Sequence, residues 1–170
     1  QTALNAGNKM KNALDAAYFI ARAAGKGGMI SGQVIDIESE GKALSYETLR
    51  QMYRRKTGAL LKASVMAPAL YYNVSASIMD ALNEYADSIG LAFQIKDDIL
   101  DVESSTEELG KPAGSDERNR KTTYVTLFGL NNAKNKLDTV IQKAVDAIMP
   151  FGEKAWFLKE MAFYIEKRTY

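Results

Sequence analysis

Apolar residues recur at helical spacing along most of the chain, and no stretch alternates with the period of two that a half-buried strand needs. Residues 8–24 are alanine-rich, with Met10, Leu14, Ala17, Tyr18 and Ala21 at helical spacing, which predicts a first helix. Gly25-Lys26-Gly27-Gly28 punctuates it. A second helix is predicted from Met29 to about Glu40, stopping at Gly41. Ser45, with Thr48 in the first turn, opens a third. It runs to Ala67 and ends before Pro68, because the residue ahead of a proline is steered out of helical backbone. Residues 75–102 read as one long helix. Gly90 lies inside it at a cost of about 1 kcal/mol, and such a glycine marks close helix packing or a bend. Residues 103–121 are polar, contain Gly110, Pro112 and Gly114, and form the longest irregular stretch. A short helix over 122–130, an amphipathic helix over 131–149 ending at Pro150, and a last helix over about 153–168 complete the chain. There are no internal repeats and no low-complexity segment. The fold class is all-α, a helical bundle.

The long helix carries the sharpest chemical feature. On a helical wheel Gln94, Asp97, Asp98 and Asp101 fall within one arc of about 100°. Leu91, Ile95, Ile99 and Val102 fill a second arc, and Ile89, Phe93 and Leu100 a third. The helix is therefore apolar over most of its circumference, with one narrow acidic stripe. Like charges at adjacent and i,i+4 positions repel, and carboxylates on a mostly buried helix are costly unless a cation sits between them. A hard divalent ion with oxygen ligands is the simplest partner. Mg²⁺ is the natural candidate, and Mg²⁺ held in this way usually also holds substrate phosphate.

Composition narrows the chemistry. At 170 residues the length suits a single all-α domain over 1–170, able to bury a sizeable core. The net charge of +1 provides no global pull toward nucleic acid or an anionic membrane. The chain has no cysteine, which excludes thiol nucleophiles, disulfides and Cys-ligated zinc and suits a reducing cytoplasm. It has no histidine either, so the usual general base and the commonest transition-metal ligand are missing, and any metal must be held by oxygen. No apolar run approaches the roughly 18 residues of a membrane span, and no signal peptide is visible. The first residue is Gln1 rather than an initiator Met, the expectation for part of a longer chain or a processed product.

Three further constellations surround the acidic helix. Gly32-Gln33-Val34-Ile35-Asp36 places Gln33 and Asp36 on one face of the second helix, where a polar pair needs partners. Arg54-Arg55-Lys56-Thr57-Gly58 is a basic knot inside the third helix. Arg50, Arg54 and Arg55 read as a salt-bridged surface, with Lys56 the exception if it faces the acids, and Gly58 permits close approach of a ligand or helix. Gly110-Lys111, Gly114-Ser115-Asp116 and Lys121-Thr122-Thr123-Tyr124 follow the acidic helix directly. Glycines, lysines and a carboxylate in one loop suit a phosphate-binding lid.

Taken in order, GQxxD, KTG, FQxxDDxxD and a GKxxGxD loop ending in KxTY resemble the trans-prenyl diphosphate synthases, and among them the short-chain bacterial farnesyl diphosphate synthases, or geranyltranstransferases. The resemblance runs from about Gly27 to the C-terminus, and FQxxDDxxD is its most specific part. It implies an isoprenoid synthase-type bundle of long helices around a cavity, a homodimer, Mg²⁺ and two substrates: an allylic diphosphate and isopentenyl diphosphate. It implies that Asp97, Asp98 and Asp101 form the second aspartate-rich motif and hold Mg²⁺ on the allylic diphosphate. Lys56, Lys111 and Lys121 would contact that diphosphate. Thr57 and Gln94 would lie near the forming carbocation, and Gln33 would face them. Asp36 belongs to the same motif without an assigned chemical role. Lys167-Arg168 resembles the family's basic tail near the isopentenyl diphosphate site.

The family's first aspartate-rich motif has no counterpart here, since Asp15 is the sole acid upstream of Asp36. The chain thus resembles the C-terminal half of such an enzyme, expected to be inactive alone, either self-associating or pairing with the missing N-terminal half. The alternatives are a non-catalytic helical subunit that pairs with a complete synthase, and a geranyl or geranylgeranyl diphosphate synthase of the same family.

Overall fold

The computed structural model describes residues 2–103, 116 and 121–169, with side chains from Gly7 onward. Among these there is no strand, and the fold is all-α. Helix α1 spans Thr2–Ala24, α2 Met29–Glu38 and α3 Tyr46–Tyr53; a π-turn over Arg54–Gly58 leads into α4, Ala59–Tyr71. The long helix α5 covers Ala76–Glu103, followed by α6, Tyr124–Phe128, and α7, Leu130–Ile148. A 3₁₀ turn over Met149–Ala155 precedes α8, Trp156–Lys167. Among the described residues no helix is long and apolar enough to cross a membrane.

The core sits where α5 meets α7 and α8. Ile95 and Ala92 are fully buried against Ala133, Ile141, Ala144 and Ala162, and the Tyr85 hydroxyl donates to the Leu158 carbonyl at 2.7 Å. The small residues let the helix axes approach, and the branched ones fill the space between them. A second cluster of Leu49, Met52 and Tyr53 packs with Ile35, Leu44 and Leu91, and this cluster positions the site.

The helix predicted over 45–67 differs from its structure in two ways. It begins as expected, with Ser45 Oγ accepting from the Thr48 N–H at 3.2 Å. It then widens into the π-turn, and it continues past Pro68 to Tyr71 instead of stopping. Proline removes one N–H and crowds the Ser64 carbonyl. Pro68 itself is exposed while Ala67 and Ala69 are buried, and the burial of those neighbours outweighs the lost bond. The Pro68 carbonyl still accepts from Tyr72 N at 2.9 Å, and the Asn12 side chain of α1 donates to the Tyr71 carbonyl at 3.1 Å. At the other end of the chain, residues 149–155 form a 3₁₀ turn, so the last helix starts at Trp156 rather than near 153.

Candidate functional site

Glycine contacts decide where the basic knot points. A Cβ on Gly32 of α2 would lie 2.1 Å from the Lys56 backbone nitrogen, so only glycine lets α2 lie against the π-turn. On the other side, a Cβ on Gly90 of α5 would lie 3.0 Å from Gly58 Cα. The π-turn is thereby held between α2 and α5. Lys56 projects into the space between those helices, where its ammonium meets Asp36 Oδ2 at 2.6 Å. Lys121 reaches the other oxygen of the same carboxylate at 3.3 Å. Both oxygens of Asp36 are thus each engaged by a different cation. Burial alone would raise this carboxyl, but the hydrogen bond and charge of Lys56, then of Lys121, outweigh it and hold it below the ordinary carboxylate value.

Around this triad lies a cleft of 260 Å³ lined by Asp36, Met52, Tyr53, Lys56, Gln94, Asp97, Asp98, Asp116, Lys121, Thr122 and Thr123. Its far wall is tied down by Thr122, whose hydroxyl accepts from the Leu44 N–H at 3.0 Å. Thr123 caps α6 through a reciprocal box with Thr126, which places the Tyr124 N–H beside the acidic helix.

The acidic ridge of α5 is not a row of equivalent carboxylates. Asp98 is buried and accepts from the Tyr53 hydroxyl and, at 2.6 Å, from the Tyr124 N–H. Burial is the largest influence on it and pushes it up to about 7 against those two hydrogen bonds, with the charges of Asp116 and Asp97 adding to the rise. Burial, and then the Asp98 charge, push the Tyr53 phenol far above its usual range. Asp101 is 3% exposed and accepts from the Asp116 N–H at 3.1 Å. Asp97 is more open, and the Arg168 guanidinium from just beyond α8 donates to it. Arg168 also donates to the Phe93 carbonyl at 3.3 Å and lies 4.2 Å over the Phe93 ring. Each aspartate therefore has a protein donor of its own, where the sequence reading had a single shared cation.

Of the residues singled out from sequence, Lys56, Lys121, Gln94, Asp97 and Asp98 line one cleft. Thr57 is half-buried in the π-turn and Gln33 is exposed on α2, and neither lines it. Asp101 is buried one helical turn beyond Asp97, also outside the lining. Lys111 and the glycines of its loop lie outside the described residues. Sequence reasoning missed the hub role of Asp36, the Tyr53 clamp and the partnership of Arg168 with Asp97. The usable signal was the register of Asp36 in GQxxD; nothing local announces the other two.

Among the described residues no three acidic side chains converge to hold a metal ion. The donor chemistry nonetheless suits Mg²⁺, which is typically held by one or two carboxylates with waters and phosphate oxygens completing its shell. Asp97 and Asp101, one turn apart on α5, offer hard oxygen donors of that kind. Asp98 is committed elsewhere.

A family model described as polyprenyl synthetase matches residues 2–151. A farnesyl diphosphate synthase of Geobacillus stearothermophilus is 48% identical over 125 residues, covering 74% of this chain and 42% of the relative. One from Bacillus subtilis is 43% identical over 148 residues, covering 87% and 50%. Among solved structures, an FPP/GFPP synthase from Zymomonas mobilis superposes with a TM-score of 0.76 at 32% identity, over 89% of this chain and 50% of its own. A geranyltransferase from Helicobacter pylori, complexed with magnesium and isoprenyl diphosphate, gives 0.74 at 27% identity over 89% and 50%. The chain spans about half the length of the curated relatives it matches. With the family model covering most of its residues, the chain belongs to the polyprenyl synthetase family.

Proposed function

We propose that the cleft between α2, the π-turn and α5 binds an allylic diphosphate with Mg²⁺, as one wall of a short-chain trans-prenyltransferase active site. The whole protein would join the allylic diphosphate to isopentenyl diphosphate with loss of pyrophosphate, as in farnesyl diphosphate synthesis. The observation that carries this reading is the pair of ammonium groups, Lys56 and Lys121, aimed into one cleft by a single carboxylate. The names of the relatives and the magnesium and isoprenyl diphosphate in a structural neighbour support it.

Breaking the allylic C–O bond leaves negative charge on the departing diphosphate, so groups that meet that charge lower the barrier. Lys56 and Lys121 are monodentate on Asp36, and each ammonium retains protons for phosphate oxygens. Asp36 fixes both side chains beforehand, which reduces the rotamer entropy lost on binding. Gln94 donates to Asp97 at 3.3 Å and sits at the edge of the same cleft. Asp97 and Asp101 would hold the metal, and Arg168, which donates to Asp97, would compete with it for that carboxylate. Bound Mg²⁺ supplies Lewis-acid neutralisation of the diphosphate. Asp98, clamped by Tyr53 and the Tyr124 N–H, keeps α5 in register with α6.

Isothermal titration of Mg²⁺ with an unreactive allylic thiodiphosphate tests the assignment. Binding weakened at least tenfold by Lys56→Met combined with Lys121→Met is the expected result. Unaltered affinity in that variant would remove the proposed role of the cleft.

A further inference from the structure

We propose that a second cleft, which shares no lining residue with the first, binds a multiply charged phosphate-type oxyanion. This cleft of 360 Å³ lies between the C-terminal end of α1, the turn over residues 25–28 and the π-turn leading into α4. Arg22, Arg54, Arg55 and Lys62 line it together with Gln51 and Phe19, and among the described residues no carboxylate does. The larger groove beside it is different. There Arg50, Lys143 and Arg54, which borders both clefts, share the walls with Asp80, Glu84 and Asp87, and Lys143 pairs with Glu84 at 3.3 Å. The larger groove balances its own charge, while the charged side chains lining the second cleft are all cations, of which Lys62 is answered from outside by Asp87.

The partner accounting strengthens the contrast. A salt-bridged surface was the expectation for Arg50, Arg54 and Arg55, yet among the described residues none of them lies within ion-pair distance of a carboxylate. Lys62 is the one lining cation that is paired, with both oxygens of Asp87 at 2.9 Å. Arg55 has one long contact, from Nη1 to Ser31 Oγ at 3.5 Å. Arg22 lies in the last turn of α1, where the helix dipole favours a cation. That explanation does not extend to Arg54 and Arg55, which sit inside continuous helical chain. Converging guanidinium groups without an acid repel one another, and a ligand carrying two or more negative charges relieves that repulsion where a single carboxylate would not. Phe19, Ala23 and Ala59 give the same cleft an apolar wall, so the ligand class is a phosphorylated small molecule with an apolar portion. Arg55 immediately precedes Lys56, so the same π-turn presents Arg54 and Arg55 to this cleft and Lys56 to the first.

The test is calorimetric titration with inorganic pyrophosphate in the presence of a chelator, so that no divalent metal takes part. Wild-type chain should bind two equivalents. R54Q/R55Q should weaken one site at least tenfold and leave the other intact, and K56M/K121M should do the converse. R22Q, which leaves the π-turn untouched, should weaken the same site as R54Q/R55Q. A single equivalent removed by K56M/K121M and indifferent to the arginine variants would overturn the proposal. So would an equal loss from R50Q, which lies outside this cleft, because that would mark unspecific attraction to a basic surface. Loss confined to the arginine site, with Lys56 and Lys121 irrelevant to any binding, would instead overturn the prenyltransferase reading and leave this one standing.

Discussion

Asp36 and Asp98 are both carboxylates in one cleft, and they are displaced in opposite directions for reasons visible in their neighbours. Asp36 has two ammonium groups on it, while Asp98 has only neutral donors and is buried. Because the folded-state value of Asp36 is depressed, its contribution to stability is present above the ordinary carboxylate value near 3.8 and is lost as pH falls through the lower folded-state value. Asp36→Asn should therefore cost about 1–2 kcal/mol at neutral pH, reduced by the partial exposure of both lysines. The difference from wild type should be flat above pH 5 and close toward zero at strongly acid pH, measured by urea unfolding across the range. A gap that persists unchanged into strong acid would show that the carboxylate charge is not what Asp36 contributes. Tyr53→Phe tests the other carboxylate. It removes a hydroxyl donor from a buried acceptor, and the expected loss is about 1–3 kcal/mol in the same assay, with little change in pyrophosphate binding. The Tyr124 N–H remains to hold Asp98 near its position.

At the scale of elements, the device that builds the cleft is the π-turn between α2 and α5, and its fit depends on glycines. Gly32→Ala would place a methyl group 2.1 Å from a backbone nitrogen that cannot rotate away, so α2 has to shift. We expect a loss of more than about 3 kcal/mol from overpacking, together with weaker pyrophosphate binding because Lys56 and Asp36 move apart. Gly90→Ala meets Gly58 Cα at 3.0 Å, a contact the helices can relax, and should cost less in thermal unfolding. The reverse ranking would mean that α5, not α2, fixes the turn. These contacts also explain what could be read from sequence. Helix α5 was legible because it is apolar around most of its circumference, and the role of Gly90 in close packing followed from its place inside that pattern. The π-turn was not, since Arg54-Arg55-Lys56-Thr57-Gly58 suits an ordinary helix equally well. The extra residue in the turn belongs to a tertiary crossing made by Gly32, more than twenty residues earlier in the chain. Pro68 was read as a stop by a local rule that the burial of its neighbours overrides. The acid–base pairing was hidden for the same reason. Asp97 is answered by Arg168, 71 residues away, and no local spacing carries that information.

For the molecule as a whole, the unbalanced feature is apolar surface. Met10, Leu14 and Tyr18 stand at i, i+4 and i+8 of α1 and are 64%, 63% and 68% exposed. From Gly7 onward the only buried residues of that helix are Ala16 and Ala23, so α1 shows water most of its large side chains. A second exposed group, Trp156, Phe157, Met161 and Tyr164, lies on α8. Contiguous apolar patches of this kind drive association of soluble chains. Of the two, α1 is the stronger candidate, because α8 has Ala162 and Ile165 in the core and a structural role already, whereas α1 packs chiefly on α4. We therefore expect the isolated chain to elute above its monomer mass of 18.8 kDa, with the excess growing with concentration. L14E/Y18E should return it to the monomer position without changing its helical circular dichroism, since both residues face solvent within the chain. The single tryptophan separates the two surfaces. Trp156 is 62% exposed on α8, so association through α1 leaves its emission maximum unmoved as concentration rises. A blue shift that tracks the change in elution, and that survives L14E/Y18E, would assign the association to α8.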